Sequence, residues 1–466
     1  MKSNSTKISS TSLRYGILMV WMLATSLAAH AQSAPEMQEI LNRLDRLEKD
    51  NHALLEEVRA LRQEVSVLKP ANPAAAPVNA VEADESQEVQ QNRIEELAQT
   101  KVEASQKFPI RITGMALFNA SVNGRYNGNA ENPLLASFMP ADETGDGTLR
   151  QSTLGFLYNG PETFLGGKIS GSLSMDFFGG TTASLKHLLR LRTAVITVDW
   201  KNTSILVGQD KPIISPRDPD SFAQVGYAPL TGAGNLWLWQ PQARLEQRFS
   251  LGDNTGLRAQ AGAFVTSSLN YPMTSSQTYD GYDSPRQEYS RPGAEARIEL
   301  WRRWGPTQRF EIAGGYHFNE NRVAETVFAS DVYSVDWFLR PVSKLEFSGM
   351  FFHGQNVATL GALPQGFVIT PSGSIIAVHS TGGWAQIRVP ITARLAFDVY
   401  GGQQDDRNSD LGYGYIGKNQ GYFSNLMYRF APNVIVSLEG GQVRTTYIGM
   451  GNRVNDHYDL AVAYLF

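Results

Sequence analysis

Lys168-Ile169-Ser170-Gly171-Ser172-Leu173-Ser174-Met175-Asp176-Phe177 alternates, with apolar residues or glycine at odd positions and Lys, Ser or Asp at even ones. A period of two sorts side chains onto the two faces of an extended strand, whereas a helix would repeat every 3.6 residues. The same pattern recurs through residues 108–466, in segments bounded by Gly, Pro, Asn or Asp. Sixteen segments qualify, starting near Arg111, Leu149, Phe164, Leu188, Thr203, Asn235, Thr255, Pro292, Gln308, Thr326, Lys344, Ile375, Ala393, Gln420, Asn433 and Arg453. Tight turns near 159–163, 201–202, 251–254, 305–307, 341–343, 390–392 and Pro432 interleave with longer, Gly-rich loops. Seven short turns and eight longer loops suit sixteen up-and-down strands whose two ends lie on one side.

The expected fold is therefore an all-β transmembrane barrel of about 16 antiparallel strands, with one face of each strand toward lipid and the other toward water. Trp200, Trp301 and Trp304 fall at segment ends, where a membrane interface favours them. The last segment alternates Tyr458, Leu460, Val462, Tyr464 and Phe466 up to the final residue. Tyr464 and Phe466 resemble the terminal signal read by the barrel-insertion machinery. Composition agrees, since charged residues are 18%, below the roughly 25% of average soluble domains, and there are 42 Gly, 8 Trp, 18 Tyr and 22 Phe. A net charge of −4 gives no footing for nucleic acid, and the absence of Cys excludes disulfides, thiolate metal sites and cysteine nucleophiles. A mean hydropathy of −0.27 excludes a polytopic helical membrane protein.

Four regions are expected. In residues 1–31, Lys2, Lys7 and Arg14 precede an apolar run, and Ala29-His30-Ala31 supplies the small residues of an export-signal cleavage site. The run is too short for the roughly 20 residues of a spanning helix. Residues 32–69 carry five heptads, with Met37, Leu44, Asn51, Val58 and Val65 on one seam and Ile40, Leu47, Leu54, Leu61 and Leu68 on the other. Arg43 with Glu48, Glu57 with Arg62 and Glu64 with Lys69 have the spacing that bridges neighbouring helices, so this helix is read as oligomerising. Asn51 and the valines favour two strands, while Leu41 and Leu55 widen the stripe toward three or more. Residues 70–107, opening with a Pro/Ala-rich stretch and continuing acidic and Gln-rich, read as a tether. Residues 108–466 are the barrel. Export and barrel together predict the outer membrane of a Gram-negative-type bacterium, with the coiled coil in the periplasm and lipid and lipopolysaccharide around the wall.

Alternation also assigns faces. If Ile169, Leu173 and Met175 meet lipid, Lys168, Ser170, Ser172, Ser174 and Asp176 face the lumen. Arg244, Glu246 and Arg248 go inside, opposite Trp237, Trp239 and Leu245; so do Arg258 and Gln260, Glu295, Arg297 and Glu299, and Arg394 and Asp398. Charge at bilayer depth needs water or a partner. The lumenal arginines on adjacent strands then form a basic wall. Arg190 and Arg192 share the parity of Ile196 and Val198 and fit only if a bulge intervenes. A charged constriction sets ion preference. Its candidate is the segment 211–234, with Arg217, Asp218 and Asp220 among three prolines, folded inward against that wall. An ordinary outer loop, with lumenal Arg and Glu paired as scaffold, is the alternative.

Enzyme-like signals are weak. Gly412-Tyr413-Gly414-Tyr415-Ile416-Gly417-Lys418-Asn419 imitates a phosphate loop, but Asn419 replaces the required Ser/Thr and no strand-to-helix frame surrounds it, so it reads as an outer loop. Asp142, Asp146 and Gly147, and likewise Asp405, Asp406 and Asp410, read as solvated acidic loops rather than divalent sites. No HExxH or GxSxG occurs. A barrel hydrolase would need a lumenal or rim Ser/His pair. No catalytic residue, metal or cofactor is expected.

Val207-Gly208-Gln209-Asp210-Lys211-Pro212, Ser221-Phe222-Ala223-Gln224-Val225-Gly226, Asn235-Leu236-Trp237 and Arg244-Leu245-Glu246, together with the four-part layout, resemble the DcaP-like trimeric outer-membrane porins. The resemblance implies a homotrimer, one pore per protomer, coiled coils joined in the periplasm and uptake of small, often anionic (dicarboxylate-like) solutes. The competing reading is a coiled-coil envelope tether that binds peptidoglycan or a partner and uses the barrel mainly as an anchor.

Overall fold

The computed structural model describes residues 110–179, 187–265, 292–323, 326–370 and 372–466. The export signal, heptad helix and tether of 1–107 lie outside the described residues. The strands are β1 (Ile110–Asn123), β2 (Thr144–Thr148), β3 (Thr153–Thr163), β4 (Gly167–Gly179), β5 (Leu188–Asp199), β6 (Thr203–Asp210), β7 (Gln240–Gly252), β8 (Thr255–Phe264), β9 (Gly293–Arg303) and β10 (Arg309–Val323). They continue as β11 (Thr326–Val342), β12 (Leu345–Gln355), β13 (Phe367–Ile369), β14 (Ile375–Ala377), β15 (His379–Pro390), β16 (Leu395–Asp406), β17 (Ile416–Ala431), β18 (Val434–Tyr447) and β19 (Gly451–Leu465).

Each wall strand pairs antiparallel with its sequence neighbours, and β1 pairs with β19 from Met115↔Leu465 to Asn123↔His457, which closes the sheet. β2 and β3 pair in succession with the upper and lower parts of β1 and act as one interrupted strand, so the wall has sixteen. The small hairpin β13–β14 belongs to the segment between β12 and β15. Closure satisfies every edge, which a spanning sheet requires where no water can bond its backbone. Phe466 completes the seam, with reciprocal backbone bonds to Gly114 of 2.9 and 3.1 Å.

Seven turns on one rim and eight connections on the other reproduce the expected alternation. The connection at 448–450, expected to be long, is short, because β18 and β19 run on into a long hairpin. The expected start at Asn235 moves to Gln240, that at Phe164 follows a 3-10 turn at Phe164–Gly166, and the wall strand expected at Ile375 begins at His379.

The outer face is apolar. Ile112, Val122, Ile196, Leu245, Ile298, Val335, Phe351 and Leu438 are exposed there. Tyr316, Tyr333, Tyr422 and Tyr458 lie above them, and Tyr428, Tyr464 and Phe466 below. From Tyr458 to Phe466 the band spans roughly 20 Å at ordinary strand rise and tilt, close to the height of a barrel's lipid-facing belt. Trp200 and Trp304 lie on the short-turn rim as expected. Trp301 instead shares the inward parity of Arg297 and Glu299 and packs over Gly256.

The inner face is mainly polar along β4 to β8, with Phe178, Leu206 and Phe264 as buried apolar exceptions, while from β11 to β18 it carries Val332, Met350, Phe352, Trp384, Tyr400, Phe423 and Val443 among its polar side chains. On β12 apolar residues occupy both faces, with Phe351 outside and Phe352 inside. The inner residues form a core with Ile214, Leu230, Ala233 and Leu236 of the connection after β6, joined by Val357, Leu360 and Ala362 of the connection after β12. The main hydrophobic core of the lumen lies on this side, and smaller clusters join Met115, Leu117 and Ala461 to Phe222 and Val225, and Ala228 to Trp237 and Trp239.

Phe352→Ala leaves a cavity in this core and is expected to cost about 3–5 kcal/mol. Phe351→Ala, one residue away on the lipid face, leaves no cavity and should cost less. The temperature at which each folded barrel loses its compact mobility in detergent electrophoresis checks the order.

Candidate functional site: a lumen narrowed by an inward segment

Pro212, Pro216 and Pro219 remove backbone donors and fix φ, so the chain after β6 cannot continue as a wall strand. Residues 211–239 turn into the lumen and travel around the inner wall. The Ile213 N–H donates to Glu295 at 2.5 Å, and Ser334 Oγ on β11 donates to Ile214 O at 3.2 Å. Further on, Gln386 Oε1 on β15 accepts from the Asp220 N–H at 3.0 Å, and Glu439 on β18 accepts from Ser221 Oγ at 2.6 Å. Asn119 on β1 donates to Phe222 O at 2.9 Å, and Gln151 both donates to Ala223 O and accepts from the Val225 and Gly226 N–H groups at 2.7 Å. Polar side chains of the wall thus satisfy backbone groups that a coiled segment would otherwise bury unpaired.

The return arm lies against β15 to β17. Asn419 donates to Gly232 O at 3.0 Å, and Gly234, at φ +106, sits so close to the wall that a Cβ would fall 2.1 Å from Gly383 O. Only glycine combines that conformation with that approach. The arm covers the β11–β18 side, while Ser172, Ser174, Thr193, Thr197, Glu246 and Gln260 on β4, β5, β7 and β8 remain partly open.

The expected inward faces of Arg244, Glu246, Arg248, Arg258, Arg297 and Asp398 hold, but the arginines do not make a basic wall. Arg244 pairs with Asp210 at 3.3 Å, Arg248 with Asp199 at 3.4 Å and Glu246 at 3.8 Å, and Arg258 with Glu299. Arg297, itself buried, bridges Glu299 at 2.6 Å and Asp336 at 2.7 Å. Each guanidinium sits among carboxylates because a charge leaving water needs a partner. The inward segment joins the same ladder. Arg217 pairs with Asp336 at 2.7 Å and with Glu311, Lys211 pairs with Asp218, and Asp220 meets Arg388 at 2.9 Å. The segment folds inward as expected, but Arg217 meets acids of β10 and β11 rather than a row of arginines. Glu311, Asp336 and Arg388 went unnoticed in the sequence, although all three occupy inward parity on their strands.

Other placements differ. Trp237 and Trp239 do not face lipid; they precede β7, are almost fully buried and stack edge to face at 4.8 Å beside Tyr227. Lys168 lies near the short-turn rim, opposite Glu162 and Asp199, away from the constriction. Arg394 is exposed in the turn before β16 rather than lumenal. The bulge needed by Arg190 and Arg192 is present, since the register skips from Ser174↔Thr193 to Met175↔Leu191. Both arginines then reach the buried Asp176, at 2.7 and 3.5 Å, and lie over the Trp239 ring.

The phosphate-loop mimic ends inside β17, where Asn419 is buried and holds Gly232. Asp405 faces Lys418 at 2.6 Å, Asp406 points inward to Ser380 at 2.5 Å, and Asp410 accepts from His379, so the three acids diverge. Partial burial opposes ionisation of Asp410, but the bonds from the His379 backbone and imidazole outweigh it and hold the carboxyl below its usual range. Among the described residues no group of three or more His, Asp or Glu could hold a metal. Ser330, His317 and Glu295 follow one another at 3.1 and 2.9 Å, the order of a hydrolytic triad. Ser330 is fully buried, however, and its hydroxyl is engaged by Asn356 O and Thr359, leaving no room for an acyl substrate.

No protein-family model and no curated protein matches the sequence. The structure is similar to that of the outer membrane channel DcaP of Acinetobacter baumannii, at 16% identity and a TM-score of 0.63, over 77% of this chain and 97% of that one. It is also similar to an anion-selective porin from Comamonas acidovorans, at 11% identity and a TM-score of 0.51, over 77% of this chain and 99% of that one. At these identities the likeness is one of fold: a closed antiparallel barrel of the kind found in outer-membrane channels.

Proposed function

We propose that the protein is an outer-membrane porin, a passive pore for small hydrophilic solutes that selects by size and charge and performs no covalent chemistry. One observation carries this reading: a closed barrel, apolar outside, encloses a polar ion-paired lumen narrowed by a segment fixed to the wall at many points. A wide barrel without such a segment would leak, and a barrel serving only as anchor has no need of a charged, partly open inner wall. The partly exposed cations Arg248, Arg258 and Arg309 support a preference for anionic, dicarboxylate-like solutes. Their pairing with carboxylates keeps that preference mild.

The wider assembly follows the sequence. Residues 1–31 direct export, the heptads of 32–69 join three copies in the periplasm, 70–107 tether them, and Tyr464 and Phe466 address the insertion machinery. Lipopolysaccharide borders the wall, and peptidoglycan is a candidate contact of the helix.

Planar-bilayer recording of the purified protein is expected to give three equal conductance steps per insertion and a reversal potential in a salt gradient slightly on the anion side. A cation-side potential removes the anion preference, and silence over many insertions favours the anchoring role. Arg217→Ala is expected to release the inward segment from β10 and β11, leaving Glu311 and Asp336 short of a partner. Conductance and current noise should then rise, and limited proteolysis should cut within 211–239 faster than in the parent. Unchanged conductance and cleavage would mean that Arg217 does not hold the segment.

A further inference from the structure

Among the segments outside the wall that pack against its inner face, 211–239 and 356–363 are linked by one chain of buried side chains. Glu295 on β9 accepts from the Ile213 N–H of the first segment at 2.5 Å with one oxygen. Its other oxygen meets His317 Nδ1 on β10 at 2.9 Å and Gln240 at 3.3 Å. His317 Nε2 lies 3.1 Å from Ser330 Oγ on β11. Ser330 Oγ in turn lies 3.0 Å from both Asn356 O and Thr359 Oγ1 of the second segment, where Asn356 holds a left-handed conformation and bonds Asn321 at 2.8 Å. Glu295, His317 and Ser330 are almost fully buried, and the Phe264 ring stacks on the imidazole at 4.9 Å.

Counting hydrogens gives this chain two states. The Glu295 carboxylate requires the proton on Nδ1. When the imidazole is neutral, Nε2 is an acceptor and competes with Asn356 O for the one hydrogen of Ser330. The Thr359 hydroxyl, 3.1 Å from Asn356 O and 3.0 Å from Ser330 Oγ, supplies one more, so this state has fewer hydrogens than the contacts can use. When it is charged, Nε2–H donates to Ser330 Oγ, Ser330 donates to Asn356 O, and the contacts from Glu295 to Asn356 all become bonds. Glu295 is the one charged side chain in hydrogen-bond contact with the ring among the described residues. The elements packed around it contribute Gln240 from β7, Phe264 from β8, Ser330 from β11, Asn319 and Asn321 from β10 itself, and Ile213, Asn356 and Thr359 from the two segments. Arg297, next on the same face of β9, is committed to Glu299 and Asp336.

We propose that Glu295, His317 and Ser330 form a proton-operated latch, which fastens both lumenal segments when His317 is charged and loosens the second when it is neutral. The latch rests on geometry, and only its consequence, a lumen better held in acid than in mild alkali, rests on the porin reading. Hydrogen–deuterium exchange of the full-length protein in detergent, corrected for intrinsic rates, tests it at about pH 5.5 and about pH 8. Amides of 357–363 are expected to exchange about tenfold faster at the higher pH, the effect of one hydrogen bond to a charged group. His317→Gln should abolish the difference. Ser330→Ala, which keeps the Glu295–His317 pair, should abolish it for 357–363 while leaving the protection of Ile213 intact, and it carries the test should His317→Gln not fold. Equal exchange at both pH values in the parent, or an undiminished difference in a folded variant, overturns the proposal. Exchange reports on the latch whether or not the barrel conducts.

Discussion

Closure of β1 on β19 is the constraint on which the rest depends. In hydrocarbon an unpaired backbone group has no water to turn to, so a sheet spans only if its first strand finds its last. The pairing from Met115↔Leu465 onward, completed by the Gly114–Phe466 bonds, meets that demand and fixes which parity faces out on every strand between. A shift of one residue at the seam would turn Leu460 and Val462 inward and Asp459 and Ala461 outward.

Closure at sixteen strands creates a second problem, because a ring of that size is too wide for its own side chains to fill. The segment after β6 answers it. Its prolines keep it out of the sheet, its small residues Ala233 and Gly234 let it lie on β15 and β16, and Leu230 and Leu236 bury against Met350, Phe352, Trp384 and Tyr400. The main hydrophobic core thus lies on one side of the lumen, and a mostly polar face on the other.

Electrostatics follows the same division. The inward charges are held as alternating partners across strands, as in Arg258, Glu299, Arg297, Asp336 and Arg217 in succession. Such a ladder stabilises little on its own, since desolvation offsets much of the attraction, but loss of one member strands the next. Its value lies in position: it pins the inward segment to the wall and leaves the field in the lumen nearly balanced.

The period of two, the turn residues and the terminal alternation were enough to establish the barrel, its strand number, the rim on which both its ends lie and the inward parity of Arg244, Glu246, Arg248, Arg258, Arg297 and Glu299. Even the bulge at Arg192 was legible, because two charges on a lipid parity demanded one. These properties are local, set by which face of a strand each side chain occupies. Partners are not local. That Arg217 meets Glu311 and Asp336, that Trp237 and Trp239 pack inside, that Phe352 and Tyr400 face a core, and that Glu295, His317 and Ser330 meet in one chain all depend on how far apart in sequence two strands lie when the ring closes. Alternation says which way a side chain points, and only the closed barrel, with its inward segment, decides what it finds there.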